Sequence, residues 1–268
     1  MSGFSADWLA RREPYDRRAR NQAVLDAVVS ALSNVSALRI VDLACGTGSM
    51  LRGLAPRFPG TQRWHLVDND LGLLARAIAS EAPAGITLTA VPLDLSRDLE
   101  AALDGPLDLV VTSALLDLVS EAWLDRLVVE VAARALPFYA ALSHDGRTEL
   151  DPPDPFDAAI ITALKAHWRT NKGFGPALGP SAATAAITHF QLLGYSVVHG
   201  TSDWIVPPTD SDMQLAIVDG WAGAACEAGV ALADAMTWLS RRRDYVAAGR
   251  SSIRVGHVDF WARQMAIR

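Results

Sequence analysis

Hydrophobic and polar positions along this chain alternate between short apolar runs and longer amphipathic stretches, the pattern of strands that are each followed by a helix. Apolar strands are predicted at Leu38 to Leu43, Trp64 to Asp68, Ile86 to Leu93, Leu107 to Thr112 and Leu136 to Ser143. Between them, helical spacing covers Ser49 to Arg57, Leu71 to Glu81, Ser96 to Leu103 and Glu121 to Ala135. Five consecutive βα units, joined by right-handed crossovers, wind into a parallel sheet with helices on both faces. The pattern changes after Ser143. Asp151-Pro152-Pro153-Asp154-Pro155 is a stiff extended link, helices follow at Phe156 to Arg169 and Ser181 to Leu193, and a strand at Tyr195 to Ile205. Two more helices, Ser211 to Ala228 and Val230 to Ala248, precede a last strand at Ser252 to Trp261.

The first strand carries the most chemistry. Ile40-Val41-Asp42-Leu43-Ala44-Cys45-Gly46-Thr47-Gly48 runs from a buried strand into a turn whose glycines permit positive φ and a close ligand approach. A dinucleotide fingerprint needs a third glycine where Leu51 stands, and a phosphate loop needs a lysine that is absent. The second strand ends at Asp68-Asn69-Asp70. A carboxylate at that tip offers two acceptors to a vicinal diol, while Asp70 is placed to cap the next helix. Asp94-Leu95 closes the third strand, where Asp94 can cap the helix that follows. Ser113 begins the segment after the fourth.

The turn resembles motif I of the class I S-adenosylmethionine-dependent methyltransferases, in the form D-x-A-C-G-T-G, with Ala44 in place of a commoner glycine. That resemblance implies an α/β fold: a doubly wound, seven-stranded, mostly parallel sheet with helices on both faces and the last strand antiparallel. It also implies S-adenosyl-L-methionine as cofactor, with Asp42, Ala44, Gly46, Gly48, Asp68, Asn69, Asp94, Leu95 and Ser113 binding it. A single domain over 1–268 is expected, with a helical segment at 1–34 and helical insertions at 151–194 and 207–250 forming a substrate lid. The N-terminal run W-L-x-x-R-E-P-x-D-x-x-A-R resembles small bacterial methyltransferases, a resemblance that carries no role to these positions; Arg12 and Arg20 are placed either to pair with a carboxylate of cofactor or substrate or to be solvated arginines of an amphipathic first helix. On the substrate side stand also Lys172 and Phe174 of the glycine-rich loop 171–180, and Trp204 and Trp221, the two tryptophans against the alternative of a core role.

Methyl transfer requires a base only for an acceptor that must shed a proton, and the candidates are His144, just past the fifth strand, and Asp203, past the sixth. A net charge of −6 disfavours nucleic acid as partner. The one basic run, Arg241-Arg242-Arg243, is expected to be a solvated helix face. With 50% hydrophobic residues but no apolar run of the ~20 residues a span requires, no membrane segment is expected. The N-terminus lacks a secretion signal, and two cysteines, Cys45 and Cys226, suit neither a disulfide nor a zinc site. A cytoplasmic enzyme acting on a small molecule, free to form a homodimer, is the expectation. A non-catalytic S-adenosylmethionine-binding module, a methyltransferase for RNA or protein, and a nucleotide-linked oxidoreductase are the alternatives.

Overall fold

The computed structural model describes residues 4–79 and 84–265. Two helices, α1 (Ala6–Ala19) and α2 (Gln22–Leu32), lead into β1 (Ala37–Leu43), α3 (Ser49–Leu54), β2 (Thr61–Asp68), α4 (Leu71–Ala79) and β3 (Ile86–Pro92). Then come α5 (Leu99–Ala102), β4 (Leu109–Ser113), α6 (Glu121–Ala133), β5 (Phe138–Asp151), α7 (Asp157–His167) and α8 (Ala182–Leu192). The chain closes with β6 (Tyr195–Thr201), β7 (Trp204–Val206), α9 (Ser211–Glu227), α10 (Leu232–Ala247) and β8 (Ser252–Gln264). The sheet order is β3-β2-β1-β4-β5-β8-β6, with β7 pairing β8 off that path. The pairs among β1 to β5 are parallel, and β8 runs antiparallel to β5, β6 and β7.

Strands buried on both faces explain the near-continuous apolar runs. On one face Val41, Leu43, Val110 and Phe138 pack with α6 and α8; on the other Leu38, Ile40, Leu109 and Tyr139 pack with α2 and α3. A third cluster holds Ile160, Trp204, Ile217, Trp238 and Val255, uniting α7, α9, α10, β7 and the first half of β8.

Several expectations need correction. The helix after β1 ends at Leu54 and gives way to a 3-10 turn over Ala55–Arg57, because Pro56 has no N–H to continue an α-helical ladder. The expected final residue of α4, Glu81, lies outside the described residues. The sixth strand breaks at Ser202-Asp203 into β6 and β7, so eight strands stand where seven are expected. Larger is the change in β5, which does not stop at Ser143 but runs on to Asp151, paired with β8 through His144↔His257 and Thr148↔Val255. The bulge at Asp145-Gly146-Arg147, with Gly146 at φ 81°, interrupts the apolar pattern and hides this continuation.

The arginine run is a solvated face only in part, since its middle member points into the protein. Arg242 is fully buried, bonding Asp157 through both carboxylate oxygens and the Pro152 carbonyl at 2.7 Å, while Trp238 Nε1 donates to Asp157 at 2.8 Å. Arg241 grips Asp154 at 2.5 and 2.7 Å, and Arg243 bonds Asp219 at 2.9 Å. These arginines fasten α10 to the start of α7 and to α9.

Candidate active site

A cavity of about 670 Å³ opens at the carboxyl ends of β1 to β4, within the size range of ligand sites. Asp42, Ala44, Gly46, Asp68, Asn69, Asp94, Leu95 and Ser113 all line it, as do Arg12, Lys172 and Phe174. Gly48 does not line it. At φ 85° it takes the left-handed conformation that caps α3, a backbone role instead of a contact.

The turn is over-determined by its hydrogen bonds. Cys45 N donates to Val67 O at 2.9 Å, Gly48 N to Cys45 O at 2.9 Å, and Gly46 N to Asp68 Oδ2 at 2.9 Å. Asp68 Oδ1 also accepts from Asp70 N at 3.0 Å. Asp70 caps α4, accepting from Gly72 N at 2.8 Å and Leu73 N at 3.0 Å. Ala44 sits at φ 56°, the left-handed region that a β-carbon disfavours, which explains why glycine is the commoner residue there.

Asp42 is the outlier in this wall. It is buried, neither carboxylate oxygen has a hydrogen-bond partner, and burial raises its pKa to about 8 against the opposing pull of Arg20. Asp94 behaves differently, since hydrogen bonds from Ser96 hold its carboxyl below the usual carboxylate range. Burial, with Asp42 and Asp68 nearby, pushes the Cys45 thiol far up, so it is not a thiolate.

The roof comes from α1 and the loop 171–178. From α1, Leu9, Arg12 and Asp16 line the cavity. Arg12 bonds Asp16 through Nε at 2.9 Å and Nη2 at 3.2 Å, and its guanidinium lies over the Trp204 ring at 4.9 Å. Trp204 Nε1 donates to Asp16 at 2.9 Å. Farther along α1, Tyr15 donates to Asp210 at 2.7 Å and Arg11 to the Asp212 carbonyl at 3.1 Å, both at the start of α9.

Five candidate residues are placed elsewhere. His144 is expected just past a strand end, but β5 continues, and its ring is packed between Trp168 at 4.1 Å and His257 at 5.6 Å instead of lining the cavity. Burial lowers its pKa to about 4, so it is also a poor proton acceptor. Asp203 fills the break between β6 and β7, held by Arg147 at 2.7 and 3.0 Å, Arg254 at 2.8 Å and His257 N at 3.1 Å. Burial pushes its carboxyl upward, yet the Arg147, His257 and Arg254 hydrogen bonds win and hold it low. Arg20 is buried behind the glycine turn against Met50 Sδ at 3.2 Å and acts as counter-charge to Asp42. Trp204 braces Arg12 from outside the cavity wall, and Trp221 packs on the third core cluster.

Leu9, Asp16, Met50, Leu115 and Leu118 line the cavity without having been candidates. The spacing of Arg12 and Asp16, four apart on one helix, is the one signal that could have found Asp16.

Residues 40–137 match a family model described as a methyltransferase domain. Over 97% of its length the chain is similar to 94% of a cyclopropane-fatty-acyl-phospholipid synthase-like protein from Lactobacillus casei, at 16% identity and a TM-score of 0.55. It is similar over 92% of its length to the whole of the YcgJ protein from Bacillus subtilis, at 11% identity and a TM-score of 0.50. At such identities the likeness is one of fold. No curated protein sequence matches the chain. Residues 40–137 are thus similar to a methyltransferase domain, and the whole chain shares the fold of these solved structures.

Proposed function

We propose that this protein binds S-adenosyl-L-methionine in the cavity above β1 to β4 and transfers its methyl group to a small-molecule acceptor. The observation that carries this reading is Asp42, a buried carboxylate with both oxygens unpartnered at the cavity wall. Such a group is costly to bury without a partner, and an ammonium brought by a ligand supplies one. Asp68 and Asp94 at the neighbouring strand ends fit a ribose diol and an adenine amino group, with the Leu95 N–H beside the latter.

Bound there, the cofactor supplies a methyl group already activated by a sulfonium, displaced in line with the carbon–sulfur bond pair going to sulfur. The chain's own task is alignment and exclusion of water. Leu9, Met50, Leu115 and Leu118 give the cavity its apolar lining, and α1 with loop 171–178 forms the roof. Neither expected base lines the cavity, so the reading assigns proton removal to no side chain. None of 207–250 lines it either; in this reading α9 braces α1 through Asp210 and Asp212 and is not itself the lid.

A roofed cavity of this volume and a net charge of −6 favour a small acceptor over RNA or protein. Among the described residues no helix is long and apolar enough to cross a membrane, and Cys45 and Cys226 are free thiols, in keeping with a cytoplasmic setting. Exposed Leu192, Leu193, Val198 and Met265 beside the open β6 edge support a homodimer, which sedimentation would test.

Calorimetric titration tests the cofactor: S-adenosylmethionine binds and NAD does not, and the reverse result overturns the reading. Transfer of a labelled methyl group from S-adenosylmethionine to components of a cell extract tests the rest. Label in the low-molecular-weight fraction supports a small acceptor; label retained on RNA or protein overturns that part; no transfer at all leaves a binding module.

A further inference from the structure

The cavity is divided by charge. Asp42, Asp68 and Asp94 stand at the ends of β1, β2 and β3, and opposite them are two cations, Arg12 and Lys172. Arg12 is already committed, its fork closed on Asp16 and its face on Trp204. Lys172 is not, for among the described residues its ammonium makes no ion pair and touches only the His167 ring nitrogens, at 3.4 and 3.5 Å. Glu227, which pairs with His167 Nε2 at 3.0 Å, acts on it through its charge alone. Burial lowers the Lys172 pKa, the mark of an ammonium partly stripped of water and given no carboxylate in return.

Its position is fixed by the loop that carries it. Asn171 Oδ1 accepts from Gly173 N at 2.7 Å and Gly175 N at 3.1 Å, Phe174 bridges to Val119, and Leu178 N donates to Val119 O at 2.8 Å. The loop is thereby riveted to the segment after β4. On its other side Trp168, the neighbour of His167, packs on His144 of β5. Lys172 therefore stands at the β4 side of the cavity, away from the strand-end acids that suit the cofactor. Phe174, Leu115 and Leu118 provide an apolar wall beside it. Lysine is rare here: Lys165 and Lys172 are the two in a chain that otherwise uses arginine for positive charge.

We propose that Lys172 anchors an anionic group of the acceptor, so that the methylated substrates are small carboxylic acids with an apolar body. The proposal rests on the methyltransferase reading of the cavity. A compact ammonium pairs with a single carboxylate from a carrier that also fills the space against Phe174, while the charges of Asp68 and Asp94 repel the same carboxylate from the cofactor end.

Benzoate and benzamide, alike in shape and different in charge, are the probes, titrated calorimetrically with and without saturating S-adenosylhomocysteine. Wild-type protein is expected to take benzoate at least tenfold more tightly than benzamide. In Lys172→Met that preference disappears, in Lys172→Arg it is largely restored, and the affinity for S-adenosylhomocysteine stays within about twofold in both. No preference for benzoate in wild type, or an undiminished one in Lys172→Met, overturns the proposal. So does a loss of S-adenosylhomocysteine affinity in Lys172→Met, which would make Lys172 a cofactor contact. If wild type binds no S-adenosylhomocysteine, the methyltransferase reading fails, while the benzoate comparison made without it still decides the role of Lys172.

Discussion

Arg52 of α3 closes a fork on Glu13 of α1, Nε to Oε1 at 2.7 Å and Nη2 to Oε2 at 2.5 Å, and its remaining nitrogen donates to the Thr47 carbonyl at 2.5 Å. One guanidinium thus ties the roof helix to the backbone of the glycine turn. Both side chains are partly solvated, so the pair itself adds little stability. Its effect lies in holding α1 over the cavity. Glu13→Ala is expected to weaken S-adenosylhomocysteine binding about three- to tenfold, chiefly through faster release, while costing less than about 1 kcal/mol of stability. Stopped-flow binding beside chemical denaturation checks both halves.

In the proposed reading, Asp42 is expected to make cofactor binding depend on pH. With its pKa raised to about 8 in the free protein, binding a cation must ionise it, and one proton leaves for each cofactor bound. Affinity is expected to rise about tenfold per pH unit up to pH 8 and to flatten above. Asp42→Asn should bind at least about tenfold more weakly at pH 8, without that slope.

The same shift has the opposite consequence for stability. A carboxyl whose folded pKa lies above its unfolded value contributes stability that is complete below the unfolded pKa of 3.8 and is lost as pH rises through about 8. Asp42→Asn should therefore gain on the wild type across that window, by roughly 1 to 3 kcal/mol at the alkaline end, limited by the loss of Arg20's counter-charge. Thermal melts at pH 5 and pH 8.5 read the difference directly.

Much of this site was legible because its parts are local. An acid at the tip of an apolar run, followed by a glycine turn, fixes Asp42, Gly46 and Asp68 through a few consecutive residues. Asp70 as a cap is equally local, since the Asp side chain meets N–H groups two and three residues on. His144 and Asp203 were misplaced for one shared reason. Both depend on where β5 and β6 end, and those ends are set by pairing with β8, more than fifty residues away for Asp203 and over a hundred for His144. Arg242 was misjudged because its partner Asp157 lies 85 residues back, and no helical periodicity can announce it.

The edge-to-face pair His144 and His257 is expected to weaken the fold in acid. Burial lowers both, His144 to about 4, and His257 is lowered further by its neighbour's charge, with Arg12 acting the same way and Asp203 against it. Asp145 raises and Arg147 lowers His144. A histidine depressed in the folded state contributes stability above its unfolded pKa of 6.5 and loses it as pH falls through the folded value. Melting temperature is expected to drop between pH 6.5 and 4, and His144→Phe should flatten that drop, as melts across the interval would show.

The buried Arg242 and Asp157 pair is expected to be the most sensitive point of the late helices. Asp157→Ala leaves a fully buried guanidinium with only the Pro152 carbonyl, and removing one partner of such a pair costs about 3 to 5 kcal/mol. Substituting Arg243, whose bond to Asp219 is exposed, should change stability by less than about 0.5 kcal/mol. Denaturant titrations of the two variants make the comparison.

The two long strands, β5 and β8, rise past the parallel sheet as a ribbon on which α7, α9 and α10 are mounted. A protein built this way is modular in a mechanical sense. The pocket floor belongs to the first half of the chain and the struts of its roof to the second, with α1 both lining the pocket and bonding α9. Exchange of the mounted helices would change how the roof is carried while leaving every strand-end acid in place, so in the proposed reading new substrate preferences are open to such a chain without rebuilding the part that would hold the methyl donor.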